Sequence, residues 1–471
     1  MRMNRAFGRW GWRSGPILLA TALFLAPPAA AADLYVDCSP GNPSMSPFTS
    51  IRAAINSLAG PPPAVGGWDR ILLRSDCVEN VTLTRDRVWI APEWDSCPWN
   101  NCTTNGPLAR ITAVNPGQPV VNITGPHGVT LVHLALSGGS NGLRIGGNAS
   151  VETFGVVMEN NSSDGVSVGS GYVGGGTLNM GEGGSLHNAG WGVRIAGGSS
   201  VRMYGRASWL QEKPFFISGN GGGGILLAEG SSLFVSDGVM IENNEGRGLF
   251  AAGGDASFGA WRTETVVQGN QGGAFLSHGS EATFWGRAVF RDNGPFGVYL
   301  EGGSHVTFSE CCTANPNQPV ILTTLVEGHT GIGVNATMNS QAFFRGANQV
   351  LHNGSPGDPT SAGIRIDGNS HAFFEGGTEV AGNVGPGILV DLNSSLDASA
   401  AIVRGNTQEG VRVRHMSVAY LASDSKVRPN AGGPLTCDIT SMAITDLVRR
   451  SFACLNVGKP TEPRPPTPQA E

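Results

Sequence analysis

The chain has 471 residues, of which 70 are glycine, only 14% are charged and 40% are hydrophobic, with a net charge of −6 at neutral pH. Four arginines, Arg2, Arg5, Arg9 and Arg13, sit in an N-terminal export-type segment; without them 26 basic residues face 36 acidic ones, a net charge of −10. An acidic coat argues against nucleic acid or an anionic membrane as partner, because phosphate binding needs clustered Lys and Arg, and it disfavours a polyanionic glycan unless a basic patch or bound cation compensates.

Residues 1–32 read as a signal peptide: the four arginines precede an apolar stretch from Ile17 to Ala26 and a small-residue cleavage site at Ala30, Ala31 and Ala32. No later apolar run is long enough to span a bilayer, so the expected location is secreted or periplasmic, without membrane insertion. All eight cysteines follow the signal. An even number in an exported chain favours disulfides over zinc, and their spacing matches no structural zinc site. The expected pairs are Cys38 with Cys77, Cys97 with Cys102, and Cys437 with Cys454; adjacent Cys311 and Cys312 form either a vicinal bond or two long-range ones.

From residue 33 to 118 the pattern predicts an N-terminal cap and first coils. Thr49 or Ser50 can cap a short helix whose apolar positions Ile51, Ala54, Ile55 and Leu58 share one face, stopped by Pro61, Pro62 and Pro63. Strands are expected at Ile71 to Leu73, Val81 to Leu83 and Val88 to Ile90, then an excursion from Pro92 to Gly106. Residues 119–430 repeat one phrase. An anchor at Asn161, Asn188, Asn220, Asn244, Asn270, Asn293, His329, Asn383 or Asn406 is followed at plus four by glycine, or at one place by Ala274, and then by alternating apolar residues. A further copy at Asn353 reaches Gly363 after an insertion spanning Gly354 to Pro359. A second phrase begins with serine, at Ser199, Ser231, Ser280, Ser304, Ser340, Ser370, Ser394 and Ser417. Two phrases in fixed phase with variable lengths between them define stacked β-coils with loops inserted at a corner. The anchors should form an amide ladder, and Phe258, Phe284, Phe308, Phe344 and Phe374, at equivalent places after the serine phrase, an internal aromatic column. Residues 431–457, holding Cys437 and Cys454 around apolar positions, read as a C-terminal cap, and the Pro-rich stretch 458–471 as a disordered tail.

With these phased phrases, a capping helix and disulfide-closed ends, the chain resembles the right-handed parallel β-helix superfamily, which includes pectate lyases, polygalacturonases and pectin methylesterases. The resemblance implies an all-β solenoid over most of the mature chain, but no particular activity. Residue by residue the enzyme signatures mostly fail: Asn161-Ser162-Ser163-Asp164-Gly165 echoes a polygalacturonase motif, yet the next coil reads Asn188-Ala189-Gly190-Trp191-Gly192 and lacks the paired Asp, and His278-Gly279 and Arg365-Ile366-Asp367 are fragments in the wrong register. No cofactor is identified; a Ca²⁺ ion is expected only if the chain is a lyase.

Strand alternation after each glycine places one outward row at Ser167, Arg194, Leu226, Phe250, Tyr299, Asn335, Arg365, Leu389 and Arg412, with Leu276 joining if its coil slips by one. A second row holds Glu301, Thr337, Asp367, Asp391 and Arg414. Leu226, Phe250, Tyr299 and Arg412 are therefore candidate sugar-binding residues. Asp367, Asp391, Glu301 and Arg365 are the candidates for catalysis, with Asp367 and Asp391 one strand spacing, about 4.8 Å, apart. The leading expectation is a secreted β-helix that binds polysaccharide or serves the cell surface without turnover; the rival is a carbohydrate-active lyase or hydrolase.

Overall fold

The computed structural model describes residues 31–39, 47–58, 67–95, 107–125, 127–171, 174–207, 212–310 and 323–445. Apolar residues alternate in short runs that glycine, asparagine and serine interrupt, so each coil breaks into short strands. In the coil that starts at Asn188, Trp191–Ile195 lies in a smaller sheet, and Ser200–Tyr204 and Phe215–Ser218 lie in a larger one. The chain then turns at Asn220 into Gly223–Ala228, which pairs in parallel with Trp191–Ile195, Val193 against Ile225 and Arg194 against Leu226. Repetition of this path builds a parallel β-helix with a 14-stranded and a 26-stranded sheet among the described residues. The inward side chains merge into one core that runs from Val36 to Cys437.

Two polar ladders hold the corners. Asn188 Nδ2 donates to Asn220 Oδ1 at 2.9 Å and to the Met158 carbonyl at 3.1 Å, and the Asn188 backbone N–H donates to the same Asn220 oxygen at 3.1 Å. Asn220, Asn244 and Asn383 repeat the arrangement, and Asn406 carries it one coil beyond the sequence motif, onto Asn430. At His329, Nδ1 accepts the Asn293 N–H at 3.2 Å, while Nε2 faces the Phe290 carbonyl without reaching hydrogen-bond geometry. Burial lowers the His329 pKa to about 4. The serine phrase makes the second ladder: the N–H groups of Ser340, Ser370 and Ser394 donate to the hydroxyls of Ser370, Ser394 and Ser417 in the next coil, at 3.1 to 3.2 Å.

The glycine after each anchor answers a close approach and not a left-handed turn. A Cβ on Gly224 would lie 2.4 Å from Ile241 Cγ2 and 2.5 Å from the Gly248 carbonyl oxygen. This corrects the register of the Asn270 coil: Gly273, whose Cβ would lie 2.0 Å from the Gly297 oxygen, occupies the glycine position. Ala274 is a core residue paired with Val298. The phenylalanine column forms as the sequence predicts, with ring centroids from Phe258 to Phe374 between 4.5 and 5.7 Å apart.

At the N-terminal end, Ser50 caps helix Ile51–Ser57 by accepting the Ala53 N–H, and Ile51 and Ala54 enter the core. Cys38 is bonded to Cys77 across 39 residues. Cys437 is also disulfide-bonded; Cys454, its expected partner, and Cys97, Cys102, Cys311 and Cys312 lie outside the described residues, as do the basic and apolar parts of the signal and the tail. Among the described residues no helix is long and apolar enough to cross a membrane.

Candidate functional site

Strand pairing sets the outward row of the smaller sheet directly: Ser167, Arg194, Leu226, Phe250, Phe275, Tyr299, Asn335, Arg365, Leu389 and Arg412 pair in succession. Leu276 is not a member. It is 0% exposed and points into the core, because the Asn270 coil is one residue shorter before its strand; Phe275 takes the outward place. Leu226, Phe250, Phe275 and Tyr299 are all half-buried, so their outer faces meet solvent.

The aromatic part of this row is ordered. Phe275 and Tyr299 stack with centroids 5.0 Å apart and planes 2° from parallel. Phe250 meets Phe275 edge-on at 5.5 Å, Trp191 stacks near Phe250 at 6.3 Å, and Phe296 touches both Phe275 and Tyr299. Arg247 lies over the Phe275 ring at 3.7 Å and within 5.0 Å of Phe250, a cation–π contact. Burial lowers the Arg247 pKa, opposed by the charges of Glu301 and Tyr299. Trp191, Arg247 and Phe296 were not found from the outward row, since they stand one residue before the glycine. Their signal is an alternation of large residues with glycine along that column. A Cβ on Gly223 would strike the Trp191 ring at 2.4 Å, and one on Gly272 the Phe296 ring at 2.5 Å, so each ring lies across the glycine of the next or preceding coil. Glycine there makes room for a flat aromatic shelf.

Beyond Tyr299 the surface turns polar. Asn335 and Asp367 are 5% and 6% exposed, yet Asn335 Oδ1 and Asp367 Oδ1 accept no hydrogen bond. Arg365 Nε lies 2.7 Å from Asp367 Oδ2, close enough for an ion pair but too poorly aligned for a hydrogen bond. Tyr299 has its phenol pKa raised by burial and then by Glu301 and Asp367, which places both carboxylates and Arg365 in its field. Buried acceptors without donors are costly, about 1–3 kcal/mol each.

The remaining candidates are committed elsewhere. Asp391 adjoins Asp367 on the next coil, its N–H donating to the Ile366 carbonyl. Its carboxylate, 2% exposed by residue, is bound by Arg414, by His415 Nδ1 and by the Leu392 N–H. Burial would raise its pKa, but the hydrogen bonds from His415 and Arg414 outweigh it and hold the group ionised below the usual range. Arg412 pairs with Glu409 and Gln408. Asp164 accepts the Trp191 N–H at 2.9 Å and pairs with Arg194, a structural turn residue whose pKa burial raises. For a divalent cation, no group of three His, Cys, Asp or Glu side chains converges on this face among the described residues, and Arg247 and Arg365 oppose one there. The acid and thiol group at Cys38, Cys77 and Glu79 is already consumed by the disulfide and by the helix N–H groups of Ile51 and Arg52, which Glu79 accepts.

Residues 262–433 match the family model described as a right handed beta helix region, which agrees with the parallel coils built above. A search of curated proteins finds no match. Among solved structures, ORF18 of Geobacillus virus E2 aligns with 13% identity and a TM-score of 0.29 over 88% of this chain, which spans 62% of that protein. The GH136 lacto-N-biosidase from Eubacterium ramulus aligns with 9% identity and a TM-score of 0.23, over 88% of this chain and 68% of its own. At these TM-scores neither neighbour informs what this chain does.

Proposed function

We propose that this chain is an exported β-helix protein that binds polysaccharide on its smaller sheet and does not turn it over. One observation carries the reading: the parallel stack of Phe275 and Tyr299 keeps its outer ring faces open to solvent in a row that runs on into the half-buried side chains of Glu301 and Arg365. Flat apolar faces suit pyranose rings, and a carboxylate and a guanidinium beside them suit sugar hydroxyls. The Cys38–Cys77 bond supports an oxidising compartment outside the cytoplasm. Binding is favoured over turnover because Asp391, which adjoins Asp367 on the next coil, has one carboxylate oxygen held by Arg414 and the other by His415 and the Leu392 N–H, and is held ionised, which leaves it neither a proton to give nor a free oxygen to attack with. Glu301 and Asp367 stand two coils apart, roughly 10 Å, at the upper edge of an inverting pair.

The test is affinity electrophoresis and calorimetry of the purified mature protein on neutral and uronate polysaccharides, with reducing ends and unsaturated products monitored in parallel. Binding that Phe275→Ala and Tyr299→Ala each weaken at least tenfold, with no products, is the expected result. Robust product formation on any substrate establishes the hydrolase or lyase reading in its place.

A further inference from the structure

The larger sheet carries a second groove of about 460 Å³, lined by Glu152, Asn179, Arg202, Tyr204, Phe234 and Ser236, with Asp237 at its end. Glu152, Asn179, Arg202 and Phe234 are successive members of one outward row, so the groove runs along the solenoid axis across four coils, about 14 Å between its first and last strands. Its walls repeat the device of the smaller sheet. A Cβ on Gly181 would lie 2.8 Å from the Tyr204 ring and one on Gly259 2.0 Å from the Trp285 ring, so both rings lie flat across a neighbouring coil's glycine. Trp285 Nε1 donates to Ser257 Oγ at 3.1 Å, and its ring stands 6.3 Å from Phe234. Arg202 lies over Phe234 at 5.1 Å, and Phe154 meets Tyr204 edge-on at 6.5 Å. Burial, then the charge of Glu152, raises the Tyr204 phenol pKa, so the hydroxyl stays a neutral donor. The chain leaves the sheet just after Tyr204, in the antiparallel pair Arg206–Ala207 and Glu212–Lys213, so an insertion flanks this groove.

We infer that this groove is a second, independent carbohydrate site, for an uncharged polysaccharide chain lying along the solenoid axis. Ring shelves at Tyr204 and Phe234 with an amide, a hydroxyl, a guanidinium and two carboxylates between them offer both stacking surface and hydrogen-bond partners of each kind. Two carboxylates against one arginine leave the lining net negative, within a net negative protein, which repels a polyuronate. Glu152 and Asp237 lie three coils apart and three residues apart along the strand direction, more than about 14 Å, too far for either spacing of a glycosidase pair. The site therefore holds a chain and does not cut it. The inference shares its ligand class with the proposed function but rests on different residues.

Calorimetry with soluble dextran, xyloglucan and polygalacturonate on four forms of the mature protein separates the two: wild type, Phe234→Ala, the double variant Phe275→Ala/Tyr299→Ala, and the triple combination, each checked for fold by circular dichroism. The double variant is expected to keep binding one of the uncharged glycans, and Phe234→Ala to weaken that residual binding at least tenfold. Tyr204→Phe, which keeps the ring, is expected to retain most of the affinity. If residual binding is absent in the double variant, the groove is not a site while the smaller-sheet platform stands; residual binding that Phe234→Ala leaves untouched likewise overturns the groove. If the double variant binds as wild type does and Phe234→Ala abolishes binding, the groove stands and the platform falls. Binding of polygalacturonate in preference to both neutral glycans overturns the ligand class.

Discussion

A ladder asparagine such as Asn244 saturates three neighbours, and none of its nearest substitutes can. In Asn244, Nδ2 donates to Asn270 Oδ1 and to the Ile217 carbonyl, and Oδ1 accepts the Asn220 N–H and Nδ2. Asn244→Ala leaves a buried N–H and a buried carbonyl unpaired and is expected to cost about 3 kcal/mol, seen as a lower urea midpoint. Asn244→Asp is expected to cost more, since a carboxylate oxygen would face the Ile217 carbonyl. His329 fills the same place with a pH dependence. Its folded pKa, about 4, lies below the unfolded value near 6.5, so as pH falls the unfolded chain takes the proton first. The group is neutral in both states above that window. Between pH 6.5 and 4 it removes stability, reaching roughly 3 kcal/mol once pH is below both values. His329→Asn should remove that share, so its stability loss between pH 7 and pH 4.5 is smaller than the wild type's in paired thermal melts.

Strands here are short, and their stability comes from what they stack on. Phe308 lies between Phe284 at 5.6 Å and Phe344 at 4.7 Å and is 1% exposed. Phe308→Ala is expected to cost about 3–5 kcal/mol through the lost ring and the cavity it leaves. Because each coil touches only its neighbours, the loss should be local. Hydrogen exchange should speed up in strands His305–Ser309, Gln341–Arg345 and Glu281–Arg291 and leave Asp69–Leu73 unchanged; uniform loss of protection would contradict the quasi-linear picture. The column, the asparagine ladder and the strand faces of the coils other than the one at Asn270 were legible from the sequence, because equal phase after an anchor means equal position in the coil. The shelf residues Trp191, Arg247 and Phe296 were not, because their importance lies in what the adjacent coil lacks at Gly223 and Gly272.

For the whole molecule, the end of the stack is the vulnerable place, since a solenoid exposes core and strand edge there. The Cys38–Cys77 bond ties the first strand and the approach to the helix onto the following coils, across 39 residues. In the chain-entropy model such a loop is worth about 4 kcal/mol. Cys38→Ser with Cys77→Ser is expected to lower the midpoint of the earliest unfolding transition, with the central coils still protected; an unchanged first transition would mean that helix packing alone closes this end.

The sequence by itself determined the coil: its corners, its asparagine ladder, the inward and outward residues of the coils other than the one at Asn270, and the chemical mixture of one sheet face. Those features depend on neighbours along the chain and on a phase that repeats, and both can be read from residue order. Only the tertiary structure decided which coil is a residue short, and so placed Phe275 outward and Leu276 inward. It also decided that Asp391 is held by Arg414 and His415 while Asp367 keeps an unpaired oxygen. Stacking partners along the asparagine ladder are 23 to 36 residues away, and the insertions between them set which side chains meet. For the same reason the groove on the larger sheet was only half legible in the sequence: Arg202 and Phe234 each stand three residues after a serine of the second phrase, Ser199 and Ser231, but Ala149 and Gly176 hold that place before Glu152 and Asn179, so the four meet only when the strands pair.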